Sequence, residues 1–559
     1  MRRFSQLYDA LDQSNKTLAK VEAMRAFFAG SHEAECAWAA YVLAGGKPKR
    51  VLPTSRLRAF AQEYAGIPEW LFDASYQMAG DLAETIAHLL PEAQCTTEMG
   101  LSAWMTTRIL PLRGLDEAAQ KARVLEDWAQ LDPTGRFLYI KLIGGGFRVG
   151  VSKGLVIRAI AQAYSLPPKL IAQRMMGFTS ANRTPSGEDF SSLVAPQVEG
   201  AKTQGGTPYP FYLAHTVPGE PEIECGEISD WQIEWKHDGI RAQAVRREGE
   251  AFLWSRGEEL VNETFPDVVA ALRTLPEGTV IDGELLVWRN DAPAPFAELQ
   301  KRLGRKLVSA ATQKKSPVKF IAYDCLEHFS TDVREKSLVL RRRYLEELLL
   351  NNSEILLSPK ISSKSWSEAK ALRATARSRG AEGFMLKRLS APYAIGRTGN
   401  GWWKWKLEPY TVDAILTYAQ RGHGRRSGLY TDYTFGVWNR APRDADEAAQ
   451  ALLMTPSDAT AQGLPALLTF AKAYSGLTDE EINMVDKVIK ATTLEDFGPV
   501  RAVRPTLVME LGFEGISPSL RHKSGVAVRF PRILRVRSEK PIHEADTIDT
   551  LKNLVSHGA

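Results

Sequence analysis

A lysine followed at once by a tight turn is the residue of this sequence best suited to nucleophilic chemistry. Lys236 stands in the segment Glu234–Gly239 (EWKHDG), where a predicted strand ends and an Asp-Gly turn follows. A lysine amine attacks only in its neutral form, which neighbouring cations and a bound metal ion favour. Three fixed letters (Lys, Asp, Gly) recur by chance in a chain of 559 residues. Taken alone, a surface lysine before a hairpin turn is therefore the better explanation.

Carboxylates and further lysines recur at two-residue spacing downstream. Asp282 and Glu284 belong to one predicted strand, and Lys404 and Lys406 to another. Alternate residues of a strand share a face, so each pair is expected to point one way. A carboxylate pair facing a lysine pair suits a site for a metal ion and a triphosphate. The alternative is a ladder of salt bridges on a solvated sheet. That alternative does not explain Glu284 and Glu382, which stand beside glycines in apolar segments, where a charge needs a partner or a ligand.

Short motifs follow one another in a fixed order between residues 234 and 540. In order and spacing they resemble the nucleotidyltransferase motifs of the ATP-dependent DNA ligases. The final motif has Glu539 where many members of that family have Asp, a change that keeps the charge, and we assign no catalytic role to His237 in the first. The resemblance rests on Glu234–Arg241, Ser255–Gly257, Asp282–Leu285, Tyr323–Asp324, Glu382–Lys387, Trp403–Lys406 and Arg529–Lys540.

The resemblance implies a role for each matching residue. Lys236 would attack the α-phosphate of ATP and keep AMP as a phosphoramidate. Glu234 would read the adenine edge, and Tyr323 would stack on the base, although packing in the core is the alternative for this tyrosine. The ribose, the phosphate and the nick would be contacted by Arg241, Arg256 and Arg397. The other implied groups are Glu284 and Glu382 for the metal ion or ribose, Lys404 and Lys406 for the α-phosphate, and Arg529, Arg532 and Lys540 for the leaving pyrophosphate.

The elements that must position these residues indicate a multidomain protein. Apolar residues at helical spacing predict helices in the first part of the chain, for example Thr17–Gly30, Asp116–Gln130 and Val156–Met176. Strands and helices mix next, and short strands with glycine-rich turns dominate the end, with a helical insertion near Ala441–Leu453. The predicted domains are an α-helical DNA-binding domain (1–200), an α+β nucleotidyltransferase domain of the ATP-grasp-like ligase adenylation type (205–410) and a β-barrel OB-fold domain (411–559).

Two basic, glycine-containing segments are candidates for contact with a phosphate backbone. The first has three consecutive glycines, which break a helix and allow close approach; the second opens the predicted barrel. A plain connecting loop and a solvated turn explain them equally well. The candidate DNA-binding residues are Lys141, Arg148 and Lys153 in the first segment, and Arg425 and Arg426 in the second.

The core motifs are shared with RNA ligases and messenger-RNA capping enzymes. About 200 helical residues ahead of the core favour DNA ligases, because a capping enzyme has no evident need for them. The zinc-binding cysteine set of NAD-dependent ligases does not match the four dispersed cysteines of this sequence, which include no Cys-x-x-Cys pair. A scaffold with an inactive ligase core would be expected to lack Lys236, Glu382 or Lys404, and all three are present.

The sequence therefore predicts an ATP-dependent DNA ligase that seals nicks in duplex DNA. ATP and Mg²⁺ are the expected cofactors, with Mn²⁺ as the alternative metal. No zinc ion is expected, because the four cysteines are dispersed. No membrane span is expected either, because no run of apolar residues is long enough. We expect a cytoplasmic monomer. The net charge of +5 indicates little about partners, and nothing distinguishes repair from replication or recombination.

Overall fold

The computed structural model describes residues 1–14, 16–93, 97–144, 147, 149–181, 183–196, 205–303, 305, 308–397, 401–422, 428–498, 500–520, 522 and 524–557. Of these, residues 1–53, 97–131 and 138–407 form one compact unit, and residues 54–93, 132–137 and 408–557 form another. The break at residue 408 lies close to the predicted start of the third domain. The domain boundary predicted near residue 200 falls inside the first unit and stays a prediction.

The N-terminal region is helical, as predicted. In the helix Thr17–Gly30 the apolar stripe of Val21, Met24 and Phe27 is buried. The predicted helix from 156 to 176 is two helices, because consecutive prolines at 167 and 168 end the first one. The helices are Arg2–Asp12, Thr17–Gly30, Glu33–Leu43, Thr54–Ala65, Glu69–Ala79, Leu82–Leu89, Leu101–Ala103, Glu117–Ala129, Pro133–Gly144, Lys153–Ala163, Pro168–Arg174 and Gly187–Val194, with a π-helix at Trp104–Ile109 and a 3₁₀ helix at Leu110–Gly114.

Two sheets in the first unit carry the motifs with strand character. The first contains, in spatial order, His215–Thr216, Trp402–Lys406, Ala381–Arg388, Trp231–His237 and Lys360–Ile361. The second contains, in spatial order, Glu250–Ser255, Ile240–Arg247, Thr279–Arg289, Val318–His328 and Thr331–Asp332, with Ala292–Pro293 and Ile355–Leu357 paired at its side. Buried residues from both sheets pack together in one core cluster, including Trp402 from the first and Val245 from the second.

The Asp-Gly turn joins the two sheets at the candidate nucleophile. The strand Trp231–His237 belongs to the first sheet, and the next strand along the chain, Ile240–Arg247, belongs to the second. Gly239 permits this connection, because a Cβ atom there would lie 2.4 Å from the carbonyl oxygen of Leu285. The helices of this α+β region are Pro221–Glu224, Pro266–Leu272, Phe296–Gln300, Ala310–Lys315, Leu338–Leu349 and Trp366–Arg373.

The C-terminal region is rich in β-strands, and a hydrogen bond links two of its outer strands. Strand Arg532–Val536 pairs with Val508–Phe513, and the backbone N–H of Ile533 also donates to the carbonyl of Ser475, 2.9 Å away, just after the strand Leu467–Ala473. The remaining strands are Tyr410–Arg421, Tyr430–Trp438, Thr493–Phe497, Val500–Val503, Gly515–Pro518 and Val526–Arg529.

The helical insertion predicted near residues 441–453 is the helix Ala445–Leu452, followed by Pro456–Ala461. The sequence reading missed a longer helix, Asp479–Thr492, although Thr478 and Glu481 form a capping box at its start. A further helix covers Ile548–His557. Among the helices of the described residues, none has the length and apolar character that crossing a membrane requires.

Candidate active site

The side chain of Lys236 lies against that of Glu382. The strand Trp231–His237 pairs with Ala381–Arg388, but a bulge leaves Glu382 and Gly383 together opposite Lys236. Gly383 takes a φ of 135°, which favours glycine, and a Cβ atom there would lie 2.3 Å from the carbonyl oxygen of Trp405. The Nζ atom of Lys236 is 2.6 Å from Oε2 of Glu382. The bulge therefore delivers a carboxylate to the candidate nucleophile.

Further cations surround this ion pair. The Nζ atom of Lys406 is 3.2 Å from the same Glu382 oxygen. Burial alone would raise the pKa of the Glu382 carboxyl, but the charges of Lys236 and Lys406 outweigh it and hold that pKa below its usual value. Lys404 has a lowered pKa, first because of burial and then because Lys406, Arg397, Lys236 and Arg256 lie near enough to repel its charge. Such a cluster of cations is suited to a polyphosphate.

Glu284 is a second carboxylate beside this cluster. Burial raises its pKa to about 7, against the lowering effect of the charges of Lys236 and Arg241. The shift places the change between its neutral and ionised forms near neutral pH. Glu284 and Glu382 are therefore both within electrostatic reach of Lys236.

The expectation that Asp282 and Glu284 face the lysine pair together is only half right. Asp282 is fully buried, and its Oδ2 atom is 2.6 Å from the guanidinium of Arg241 and 2.6 Å from the hydroxyl of Tyr393. Arg241 also lies over the ring of Trp402, 5.3 Å from its centroid. Asp282 thus fixes Arg241 inside the fold, whereas Glu284 lies near Lys236 and Glu382 contacts both Lys236 and Lys406.

Glu234 and Tyr323 share a buried lysine. The Nζ atom of Lys387 is 3.1 Å from each carboxylate oxygen of Glu234 and lies 4.2 Å from the centroid of the Tyr323 ring. Ser358 donates a further hydrogen bond to Glu234, at 2.7 Å. Tyr323 is the extra residue of a bulge that lies between the paired residues Asp282–Asp324 and Gly283–Ala322. Both carboxylate oxygens of Glu234 therefore accept hydrogen bonds from groups within the protein. To contact an adenine edge, Glu234 must give up one of these bonds.

The sequence reading missed Lys387 and Tyr393 as contributors to this site. Lys387 belongs to the quoted motif Glu382–Lys387, and a lysine in an otherwise apolar strand was the available signal. Nothing local marks Tyr393, because its link to Arg241 and Asp282 spans more than a hundred residues.

The predicted DNA-binding residues have different surroundings. Lys153 is not exposed: its ammonium group forms an ion pair with Glu258 and donates to the carbonyl of Met175 at 3.1 Å. Binding of DNA by Lys153 would require this pair to break, so the expected role is not supported. Lys141 lies in the last turn of the helix Pro133–Gly144. Arg148, Arg425 and Arg426 lie outside the described residues.

The residues predicted to orient pyrophosphate lie in the second unit. There Arg532 is 3.0 Å from Glu514, and Lys540 is 2.8 Å from Asp413. The guanidinium of Arg529 lies 4.9 Å from the centroid of the Phe530 ring.

Two regions of the chain match models of known protein families. Residues 212–406 match the family model described as the ATP dependent DNA ligase domain, and residues 1–161 match the model of the DNA ligase N terminus. A probable DNA ligase of Koribacter versatilis is 31% identical over 591 residues, covering 99% of this chain and 96% of that protein. The chain belongs to the ATP-dependent DNA ligase family.

Other relatives of this ligase-family chain agree. A DNA ligase of Haloarcula marismortui is 28% identical, covering 85% of the chain and 79% of that protein. A solved structure titled Pmar-Lig_PreS3 covers 95% of the chain and 99% of its own, with 14% identity and a TM-score of 0.60, so it shares the fold. The predicted order of a helical region, a nucleotidyltransferase region and a β-rich C-terminal region is confirmed.

Proposed function

We propose that this member of the ATP-dependent DNA ligase family seals nicks in duplex DNA through an adenylate held on Lys236. The observation that carries the proposal is the position of the Lys236 amine beside Glu382, within a cluster of cations that includes Lys404 and Lys406. A nucleophilic amine, a carboxylate that orients it and several cations for phosphate are what attack on the α-phosphorus of ATP requires.

The proposed reaction has three steps. The neutral amine of Lys236 attacks the α-phosphorus, the bond to the β-phosphate breaks, and pyrophosphate leaves. The 5′-phosphate of the nick then takes AMP from the lysine. Finally the 3′-hydroxyl attacks the activated 5′-phosphate, AMP leaves, and a phosphodiester bond forms. Each step displaces a group in line at phosphorus, and the surrounding cations stabilise the charge that develops.

The nucleotide would be held mainly by residues of the two sheets. We assign the α-phosphate to Lys404 and Lys406, because several cations act on Lys404 and Lys406 shares the carboxylate of Glu382 with Lys236. Tyr323 offers an aromatic face for the adenine, backed by Lys387. The remaining proposed nucleotide contacts are Glu234 for the adenine edge and Arg241, Arg256 and Arg397 for the ribose, phosphate and nick.

The acidic groups fit Mg²⁺, with Mn²⁺ as the alternative, because both ions bind carboxylate oxygens. Among the described residues no cluster of three or more His, Cys, Asp and Glu side chains is arranged to hold a metal ion. Mg²⁺ needs fewer protein ligands, because it is usually bound through one or two carboxylates together with water and substrate phosphates. Glu284 and Glu382 would supply those carboxylates. When bound, the ion would neutralise charge on the phosphates.

Further parts of the proposal concern the barrel, the DNA and the state of the protein. Arg529, Arg532 and Lys540 would orient pyrophosphate, and Lys141, Arg148, Arg425 and Arg426 would contact the DNA backbone.

We also propose that the protein is a monomer, since one chain carries every motif of the reaction. We place it in the cytoplasm and propose that it needs no zinc. Light scattering of the purified protein, alone and with nicked DNA, would test the monomer.

Sealing of a 5′-phosphorylated nick with ATP and magnesium, followed on a denaturing gel, tests the function. The Lys236→Ala variant should form no adenylate, measured as a mass gain of the intact protein, yet still bind nicked DNA. Lys364→Ala, a change to an exposed lysine of the same region, is the control. An enzyme that gains AMP but joins no DNA would contradict the proposed substrate, and nicked RNA would be tried next.

A further inference from the structure

A tight turn connects Arg256, one of the three arginines predicted to contact the ribose, the phosphate and the nick, to the N-terminal helical region. In this turn, which spans Ser255–Glu259, the N–H of Glu258 donates to the carbonyl of Ser255 at 2.9 Å, and the N–H of Ser255 donates to the carbonyl of Glu259 at 2.9 Å. Glu258 takes a left-handed φ of 61°. Glycine is the usual residue at the left-handed position of such a hairpin loop, because it has no Cβ atom. A glutamate there carries a backbone cost, which a favourable contact of its side chain can offset.

The carboxylate of Glu258 binds two groups of the helical region. It forms an ion pair with the ammonium group of Lys153, at the start of the helix Lys153–Ala163. It also accepts a hydrogen bond from the N–H of Gly177, at 3.4 Å. The side chains of Lys153 and Glu258 are only 23% and 18% exposed, so this pair is shielded from solvent far more than a surface salt bridge. A Cβ atom placed on Gly177 would lie 3.5 Å from the ring of Trp254, next to the turn.

The other end of the same turn reaches the active site. The N–H of Arg256 donates to the carbonyl of Arg241 at 3.0 Å, which ties the turn to the strand that follows the nucleophile. The guanidinium charge of Arg256 is among those that act on Lys404. A single residue, Gly257, thus separates a carboxylate that holds the helical region from an arginine that belongs to the site.

We propose that Glu258 is a positioning residue, which couples the helical DNA-binding region to Arg256 through its ion pair with Lys153. Arg256 is one of the arginines proposed for the ribose, the phosphate and the nick, and the coupling concerns its contact with the nick, so this inference rests on the proposed function. The coupling acts in the steps that involve DNA. Formation of the adenylate on Lys236 needs only ATP and does not depend on it.

The test separates the steps of the reaction in the full-length protein. Adenylation is measured with ATP and magnesium alone, and sealing is measured on a 5′-phosphorylated nick and on a nick already carrying the 5′-adenylate. Glu258→Gln removes the charge at nearly constant size. Glu258→Gly removes the carboxylate but suits the left-handed backbone, so it distinguishes loss of the ion pair from distortion of the turn. Glu259→Gln, at the neighbouring exposed residue, is the matched control.

For Glu258→Gln and Glu258→Gly we expect sealing of both nicks to fall about 3- to 30-fold, mainly through a higher KM for DNA, with adenylation within about twofold of the unaltered protein. The charge-swapped double variant, Lys153→Glu with Glu258→Lys, should recover part of the loss. The proposal is overturned if Glu258→Gln seals like Glu259→Gln, or if Glu258→Gly seals like the unaltered protein. It is also overturned if adenylation falls by the same factor as sealing. Failure of the unaltered protein to seal any nick would instead contradict the proposed function.

Discussion

Lys236 and Glu382 are brought together by a β-bulge, 146 residues apart in sequence, with 2.6 Å between Nζ and Oε2. Without the bulge, the regular pairing of the two strands would place one residue opposite the lysine instead of two. The ion pair has two consequences. It fixes the direction of the lysine side chain. The carboxylate also offsets the repulsion between the positive charges of Lys236 and Lys406, which contact the same oxygen. A phosphate that entered the site would compete with the carboxylate for both ammonium groups.

Glu382→Gln should slow adenylation strongly. The amide has nearly the same size but cannot balance the charges of Lys236 and Lys406, so the lysine loses the partner that orients it. Misplacement of a reacting group by about 1 Å can cost about 100-fold in rate, and we expect a loss of that order. The measurement is the rate of AMP transfer to the protein in a single turnover.

The control for this variant is Glu335→Gln, which removes the carboxylate of another Lys–Glu pair whose side chains are 71% and 73% exposed. Exposed pairs contribute little, so its adenylation should match that of the unaltered protein. Equal rates for the two variants would show that Glu382 does not orient the nucleophile.

The sequence predicted the nucleophile but not its partner. Lys236 could be predicted because the strand, the Asp-Gly turn and the order of the later motifs are all readable along the chain. Its contact with Glu382 could not be, because strand alternation fails where a bulge inserts a residue. The same limit explains the error over Asp282, whose bonds to Arg241 and Tyr393 depend on the pairing of distant strands.

The helical region shows a different limit. The consecutive prolines at 167 and 168 were visible in the sequence and should have ended the predicted helix there. By contrast, nothing in the sequence around Lys153 indicates that its charge is bound to Glu258, 105 residues away. A flanking lysine of a glycine-rich loop was a reasonable DNA contact until its partner was known.

The activity should depend on the ionisation of Glu284. Its pKa of about 7 means that the carboxylate, the form able to bind a metal ion, is lost as the pH falls through 7. The rate of adenylation should therefore decline below pH 7, and added Mg²⁺ should partly restore it. In the Glu284→Gln variant adenylation should be slow at every pH, and its rate should show no decline below pH 7. The measurement is single-turnover adenylation between pH 5.5 and 8.5.

The same shift has the opposite effect on stability. Because the pKa of Glu284 is higher in the folded than in the unfolded chain, the folded state holds the proton more tightly. Its contribution is therefore fully present below about pH 4.5 and is lost as the pH rises to about 7, by about 3 kcal/mol. Glu284→Gln should unfold less readily than the unaltered protein at pH 8 and similarly at pH 5. Urea denaturation at both pH values checks this, and equal shifts at the two would contradict it.

The buried ion pair between Asp324 and Arg341 should be expensive to break. Both side chains are fully buried, and two hydrogen bonds of 2.8 and 2.9 Å join them. Asp324→Asn leaves the guanidinium without its counter-charge, which should lower the free energy of unfolding by about 3–5 kcal/mol. The double variant Asp324→Leu with Arg341→Met should lose less than the single variant. Thermal or urea unfolding of both tests this, and a double variant less stable than Asp324→Asn would argue against it.

Sealing of nicks should fall steeply with salt, whereas adenylation should change little. A ligase must accept a nick in any sequence, so it is expected to bind mainly the phosphate backbone, and such binding releases counterions. The Arg425→Ala and Arg426→Ala variants should each weaken binding evenly across DNA sequences and reduce the slope of log K against log salt by about one. Titration of a labelled nicked duplex at several salt concentrations measures that slope. An unchanged slope in both variants would show that Arg425 and Arg426 do not contact the DNA backbone. Sealing that stayed constant as salt rose would contradict backbone recognition altogether.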